Sequence, residues 1–354
     1  MFGLFKRRAQ LSEGTSSAIA ERQVVDVSDA LETIDGIPVF TGAAMNVVLA
    51  KLPDFASDEE FAQELTAASR SWLKTLNEQA FDGRLKSGES KRFILLGDVD
   101  DARGRAILAF AESTLERLER DLNGIVWFGP ASKFPIFAFA SQDDYYRYVA
   151  TYFPAGEFGG SSGMFLKRSL GHFVFPYEEM WILEAVIAHE LFHAVVAHLP
   201  LPAWLNEGLA SNAEFRYGNR VQDPRHVDDQ LPHHRRYWNA ERLQKFWSGE
   251  AFFNTDEGQE LSYDLARRLV VGLSSDWKLM TRFILQADLR DAGEGASHEV
   301  FGFSLAIPVE VITGQEGNAP IPTQWASDPF GGGYDGTTVA STADDKERKD
   351  YEQS

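Results

Sequence analysis

The sequence predicts an α+β protein in two parts: a small α/β module over residues 56–150 and a larger unit over 151–312 organised around one buried helix. Three observations carry this expectation. A capped amphipathic helix at 57–80 is followed by short apolar runs separated by polar turns. A glycine-rich passage at 156–176, GEFGGSSGMFLKRSLGHFVFP, holds two further strand-like runs. Behind it lies LEAVIAHELFHAVVAHLPLPAWL, among the most apolar stretches of the chain, which nevertheless carries His189, Glu190 and His193.

In chain order, residues 1–55 form a leader of weak periodicity, expected to be partly ordered. Ser57-Asp58-Glu59-Glu60 matches a capping box, and Phe61, Leu65, Ala68, Trp72 and Leu76 follow at helical spacing. KRFILLG (91–97) is a compact strand, and Ile107, Phe110, Leu115 and Leu118 form one stripe of a helix over 101–121. GIVWFG and FPIFAFA read as two short strands, and Ser141 caps a short aromatic helix through Tyr148. In the glycine-rich passage Gly163 and Met164 open the run MFL, which a turn joins to HFVF. The apolar helix runs over about 178–198 until Pro200 and Pro202 stop it, and a second helix begins near Ala203. Further helices are expected at 239–248, 260–273 and 276–289. From Thr313 the composition turns to Gly, Pro, Thr, Ser, Asp and Lys, which predicts a disordered acidic tail over 313–354.

Composition narrows the functional classes. A formal charge of -19 argues against a nucleic-acid partner, because phosphate binding needs positive faces. The absence of cysteine excludes disulfides, thiol catalysis and a thiolate zinc site. It agrees with a reducing compartment, and no apolar stretch follows the basic N-terminus as a secretory signal would, so a cytoplasmic location is expected. No run of about 18 uncharged apolar residues exists, so no transmembrane segment is expected.

Residues four apart on a helix lie about 40° apart in projection, so His189 and His193 point the same way, one turn above the other. Glu190 sits on the rim of that face. H-E-x-x-H therefore supplies two metal ligands and a general base from one turn of helix. A catalytic zinc site needs a third protein ligand. The metzincin continuation of the motif would need glycine at 196 and histidine at 199, where this chain has Val196 and Leu199. His198 falls about 140° round the helix from His193 and suits the helix C-terminus instead. A glutamate on the next helix, Glu207 in PAWLNEGLASNAE, can be turned back to the same ion by the proline break.

H-E-L-F-H followed by P-A-W-L-N-E-G-L-A resembles the gluzincin zinc metallopeptidases, in particular their peptidase MA-like branch, over roughly residues 155–290. The resemblance implies a zincin-like, thermolysin-type catalytic domain with a mixed sheet, an edge strand and an active-site helix. It implies one Zn2+ held by His189, His193 and Glu207, with Glu190 as the catalytic base, and a peptide or protein substrate. Peptide hydrolysis would then proceed by Glu190-assisted attack of a zinc-bound water. The oxyanion needs a further donor. Tyr263, at the start of a helix where gluzincins often carry such a tyrosine, competes for that role with His233 and His234 of LPHHRRYWN, otherwise a solvated polar loop. Gly163 and Met164 lie where the family lays an extended peptide along its edge strand. Glu214, two turns beyond Glu207, can orient a ligand histidine, although thermolysin-like enzymes place an aspartate where this chain has Ser211. Asn206 and Trp204 read as local structural residues.

Two other readings use the same residues. The histidines can be core residues satisfied by nearby carbonyls, or the chain can be a catalytically silent, peptidase-like zinc protein acting as a binding or scaffold module. Substrate identity and oligomeric state are not encoded in any motif of the sequence.

Overall fold

A computed structural model of the chain describes residues 25–53, 55–128, 132–153, 161–167, 169–218, 224–253, 257–325 and 338–341. The first ordered elements lie inside the expected leader. They are the hairpin of β1 (Glu32–Ile34) and β2 (Ile37–Val39), then α1 (Gly42–Ala50); the expected helix follows as α2 (Asp58–Ala80). The capping box at the start of α2 is formed: the Ser57 N–H donates to Glu60 Oε2 at 2.9 Å, and the Glu60 N–H donates to Ser57 Oγ at 3.2 Å. Trp72, fully buried in α2, donates its indole N–H to the Pro38 carbonyl at 2.9 Å and ties the leader to this helix.

Next come β3 (Lys86–Glu89), β4 (Phe93–Gly97), α3 (Asp101–Asp121), β5 (Phe134–Phe139), α4 (Gln142–Ala150), β6 (Ser161–Leu166) and β7 (His172–Pro176). The sheet order is β3-β4-β5-β7-β6-β8, with β8 (Thr338–Ser341) on the edge; the β4–β5 and β5–β7 pairs are parallel and the others antiparallel. The fold is α+β with a mixed sheet, as expected. The expected boundary near residue 150, however, falls inside this sheet. Phe93, Leu95, Ile136, Phe165 and Phe173 face one core, while Ile94, Leu96, Phe137, Met164 and Val174 face the other. Strands buried on both faces read as continuous apolar runs, and neither segment closes a core by itself.

Residues 124–128 of GIVWFG, expected as a strand, do not form one, and Gly129 lies outside the described residues. After α3 the chain turns, and the Trp127 N–H donates to the Val195 carbonyl at 2.8 Å, so this segment braces a helix end instead of a sheet. The helices that follow are α5 (Met180–Val196), α6 (Ala203–Tyr217), α7 (Pro224–Tyr237), α8 (Ala240–Ser248), α9 (Glu257–Leu273), α10 (Trp277–Gln286), α11 (Glu294–Val300) and α12 (Ala306–Thr313). LPHHRRYWN, expected as a solvated loop, lies mostly in α7. There His234 is buried, accepts the Trp238 indole N–H at Nδ1 (2.8 Å) and donates from Nε2 to Asp264 at 2.8 Å. The hydrogen bond to Asp264 of α9 is what lets so polar a segment pack.

The expected disordered tail is ordered at its beginning. Gln244 bonds the Ala319 carbonyl (2.9 Å), the Ile321 N–H (2.9 Å) and the Trp325 indole (3.0 Å), and the Trp247 indole reaches the Asn318 carbonyl at 3.0 Å. Residues 326–337 and 342–354 of that tail lie outside the described residues. Among the described residues no helix is long and apolar enough to cross a membrane.

Candidate metal centre

The centre is built on α5, buried without interruption from Ala185 to Val196. A helix apolar on every side must be enclosed on every side, and here β6, α3 and α6 pack around it. Glycines permit the close approaches around it. A Cβ on Gly163 of β6 would stand 2.5 Å from Val186 Cγ1 of α5, and one on Gly208 of α6 would stand 2.5 Å from the Ala266 carbonyl oxygen of α9. Both expected substrate contacts on β6 therefore have packing roles: Gly163 lets the strand lie against α5, and the Met164 side chain is buried in the opposite core.

Pro200 and Pro202 break the chain after α5, and the Leu205 and Asn206 N–H groups both donate to the Pro202 carbonyl as α6 begins (3.0 Å each). The short connection lays α6 back along α5 and brings Glu207 between the two histidines. Glu207 Oε2 stands 3.3 Å from His189 Nε2 and 3.5 Å from His193 Nε2. The three ligand atoms all lie within 4.8 Å of one another, so the group could hold a metal ion. Ligands about 2.0–2.1 Å from a tetrahedral ion stand about 3.3 Å apart, which matches both carboxylate–imidazole separations.

The hydrogen bonding leads to the same conclusion. His189 Nε2, His193 Nε2, Glu207 Oε2 and Glu190 Oε1 are buried and make no hydrogen bond. An unsatisfied buried polar atom costs about 1–3 kcal/mol, so four at one point require a compensating partner. The other ring nitrogens are engaged: His189 Nδ1 donates to Glu214 Oε1 at 2.5 Å and His193 Nδ1 to Asn206 Oδ1 at 3.1 Å. With the proton held on Nδ1, each Nε2 keeps its lone pair for a ligand.

Glu190 is positioned by the sheet, since its Oε2 accepts the Phe165 N–H of β6 at 2.6 Å. Burial pushes its carboxyl up to about 7, against the pull of His189 and His193. For Glu207 burial also acts upward, but the two imidazoles outweigh it and hold the carboxyl below the ordinary range. Burial alone would lower His189, and Glu207 and Glu214 reverse that, raising it.

Tyr263, on α9, is half-buried, with its ring centroid 6.5 Å from that of His189 and its edge on Phe252 at 5.3 Å. His233 is exposed on α7, and His234 is consumed by Asp264 and Trp238. Glu214 reaches a histidine of this group, His189, as expected. Two contacts go beyond the sequence reading. Asn206, read as a local structural residue, serves His193, and the Phe165 backbone serves Glu190. Adjacency to Glu207 is the only signal that marks Asn206, and a backbone donor leaves none.

Compared with known protein families and with characterised proteins, the chain matches no family model and no characterised protein.

Proposed function

We propose that the chain is a zinc-dependent metallopeptidase of the gluzincin type, with α5, α6 and the β6 side of the sheet forming a thermolysin-like, zincin-type catalytic unit. One observation carries the reading: the unpaired His189 Nε2, His193 Nε2 and Glu207 Oε2 converge beside a Glu190 that a strand backbone holds in place. A donor set of two imidazoles and one carboxylate, with no thiolate in the chain, suits zinc in a site that keeps a position open for chemistry.

His189, His193 and Glu207 would hold the ion. Zinc in such a site supplies Lewis acidity, polarising a carbonyl and making water a nucleophile near neutral pH. Glu190 accepts the proton of the attacking water through its free Oε1 and passes it to the leaving amine. Glu214 and Asn206 hold the two imidazoles in the tautomer that ligation needs. Tyr263, beside His189, is the residue we assign to donate a hydrogen bond to the developing oxyanion. The substrate is a peptide or protein.

The test combines metal analysis with cleavage of a mixed peptide library. One zinc per chain is expected, lost in Glu207→Ala and retained in Glu190→Gln. Cleavage is expected from the wild type alone, and a chelator abolishes it. Zinc content unchanged by Glu207→Ala overturns the ligand set; stoichiometric zinc without cleavage of any peptide overturns the peptidase.

A further inference from the structure

The outer edge of β6 is occupied by the chain itself. β8 pairs antiparallel with β6, setting Val339 opposite Met164 and Thr338 opposite Phe165, and it lies against α5 as well. β6 thus has β7 on one side and β8 on the other, and its Phe165 N–H holds Glu190. The same strand joins the proposed proton acceptor to a segment more than 160 residues further along the chain.

An open strand edge binds extended peptides by strand addition, through main-chain hydrogen bonds that any sequence can make. Only one segment can pair with a given edge at a time. Thr338-Val339-Ala340-Ser341 carries no charge and begins with two β-branched residues, a composition suited to a pleated edge. Its ladder is four residues long and irregular between Ser161 and Met164, so few hydrogen bonds hold it. Short edge strands with a single partner detach more readily than those inside a sheet.

We propose that β8 is an autoinhibitory strand, occupying the edge of β6 along which an extended substrate would approach Glu190 and the metal ligands, and that it must leave before substrate pairs there. This rests on the peptidase reading given above. The strand acts as a tethered competitor: if it covers the edge nine-tenths of the time, the apparent affinity for an extended peptide falls about tenfold, while turnover of bound substrate is untouched.

The experiment compares the full-length wild type with a full-length Val339→Pro/Ala340→Pro variant, using Val339→Ala as control. Successive residues of a strand point their N–H groups to opposite sides, so one of the two prolines removes a ladder donor facing β6 whichever way residue 339 points. Hydrogen exchange over 161–166 and cleavage of the peptide library are measured on all three proteins. Faster exchange in β6 and a KM about tenfold lower at unchanged kcat are expected for the double variant, with the control like wild type. Unchanged exchange overturns the proposal, as does faster exchange with unchanged KM. If no protein cleaves, the peptidase reading falls and equilibrium binding of fluorescently labelled library peptides decides. Tighter binding by the double variant supports β8 as the occupant, and equal or absent binding overturns it.

Discussion

Glu214 Oε1 lies 2.5 Å from Nδ1 of His189, while Glu207 Oε2 lies 3.3 Å from Nε2 of the same ring. One imidazole thus bridges two carboxylates, one of which orients it while the other stands beside its Nε2 in the group that could hold a metal ion. Both carboxylates come from α6, seven residues apart, so a single helix sets the ring's direction and completes the group that could hold a metal ion.

Removing the orienting contact should weaken the metal without abolishing the site. Partners of this kind typically matter 10–100-fold in metal affinity. Glu214→Gln, which keeps an acceptor but loses the charge, is expected near the low end, and Glu214→Ala near the high end. Competition with a chromogenic chelator measures both. Equal affinity in wild type and Glu214→Ala would remove Glu214 from the site.

Glu190→Gln should separate binding from chemistry. The residue ligates nothing in the proposed site, so metal content stays at the wild-type value. Loss of a positioned proton acceptor lowers kcat about 10²–10⁴-fold. Residual activity within about threefold of wild type, read in a single-turnover assay, would assign the proton transfer elsewhere.

The metal should also stabilise the fold, because it satisfies atoms that are otherwise buried without partners. At free metal about 100-fold above its dissociation constant the gain is about 2.7 kcal/mol. Thermal unfolding with and without chelator should show the difference in wild type. In Glu207→Ala, where the third ligand is gone, most of it should vanish.

Gly163 supports a packing prediction. Gly163→Ala places a methyl 2.5 Å from Val186 Cγ1 and should destabilise the protein by about 1–3 kcal/mol. Val186→Ala removes the obstructing methyl, so the double variant should recover part of that loss. Additive losses in denaturant unfolding would show that the contact between β6 and α5 is not the cause.

His172 yields a pH dependence from the face of the sheet that packs against Trp72, Phe137 and Tyr148. Burial among Trp72, Phe137 and Tyr148 holds it down to about 4, from an ordinary value of 6.5. Its Nδ1–H donates to the Leu170 carbonyl at 2.9 Å and its Nε2 accepts the Tyr148 hydroxyl at 2.8 Å, so both bonds use the neutral ring. Between these two pH values the unfolded chain binds the proton that the folded one refuses. The His172 contribution is therefore intact above 6.5 and lost as pH falls toward 4, by about 3 kcal/mol in all. His172→Phe should show a shallower decline in unfolding free energy across that window than wild type. Parallel curves would mean that another group governs the acid limb.

Much of the site was legible because its signal is local. H-E-x-x-H places three residues on one helical turn, and helix geometry alone sets their common face. The capping box, the helix over 57–80 and the proline break before α6 are likewise written in neighbouring residues. The elements misread or missed depend on distant partners. LPHHRRYWN looks like solvent-facing loop until Asp264 is set against His234. GIVWFG has the composition of a strand, and its backbone partner turns out to be the end of α5. The expected module boundary failed for the same reason: β4 and β5 need β7 on one side and helices from both halves of the chain on their faces.

The sequence by itself determined that His189, Glu190 and His193 share one helix face, that a second helix carrying Glu207 begins after the prolines, and that no thiolate competes for a metal. These follow from periodicity and composition, which neighbouring residues specify. Only the tertiary structure decided that Glu207 enters between the two imidazoles, that Asn206 and Glu214 accept the Nδ1–H groups of the two rings, that the Phe165 N–H holds Glu190, and that β8 closes the sheet edge. Each of those is a contact between groups that chain order leaves apart. Burying them together makes their unpaired atoms converge, and that convergence is where the capacity for a metal resides.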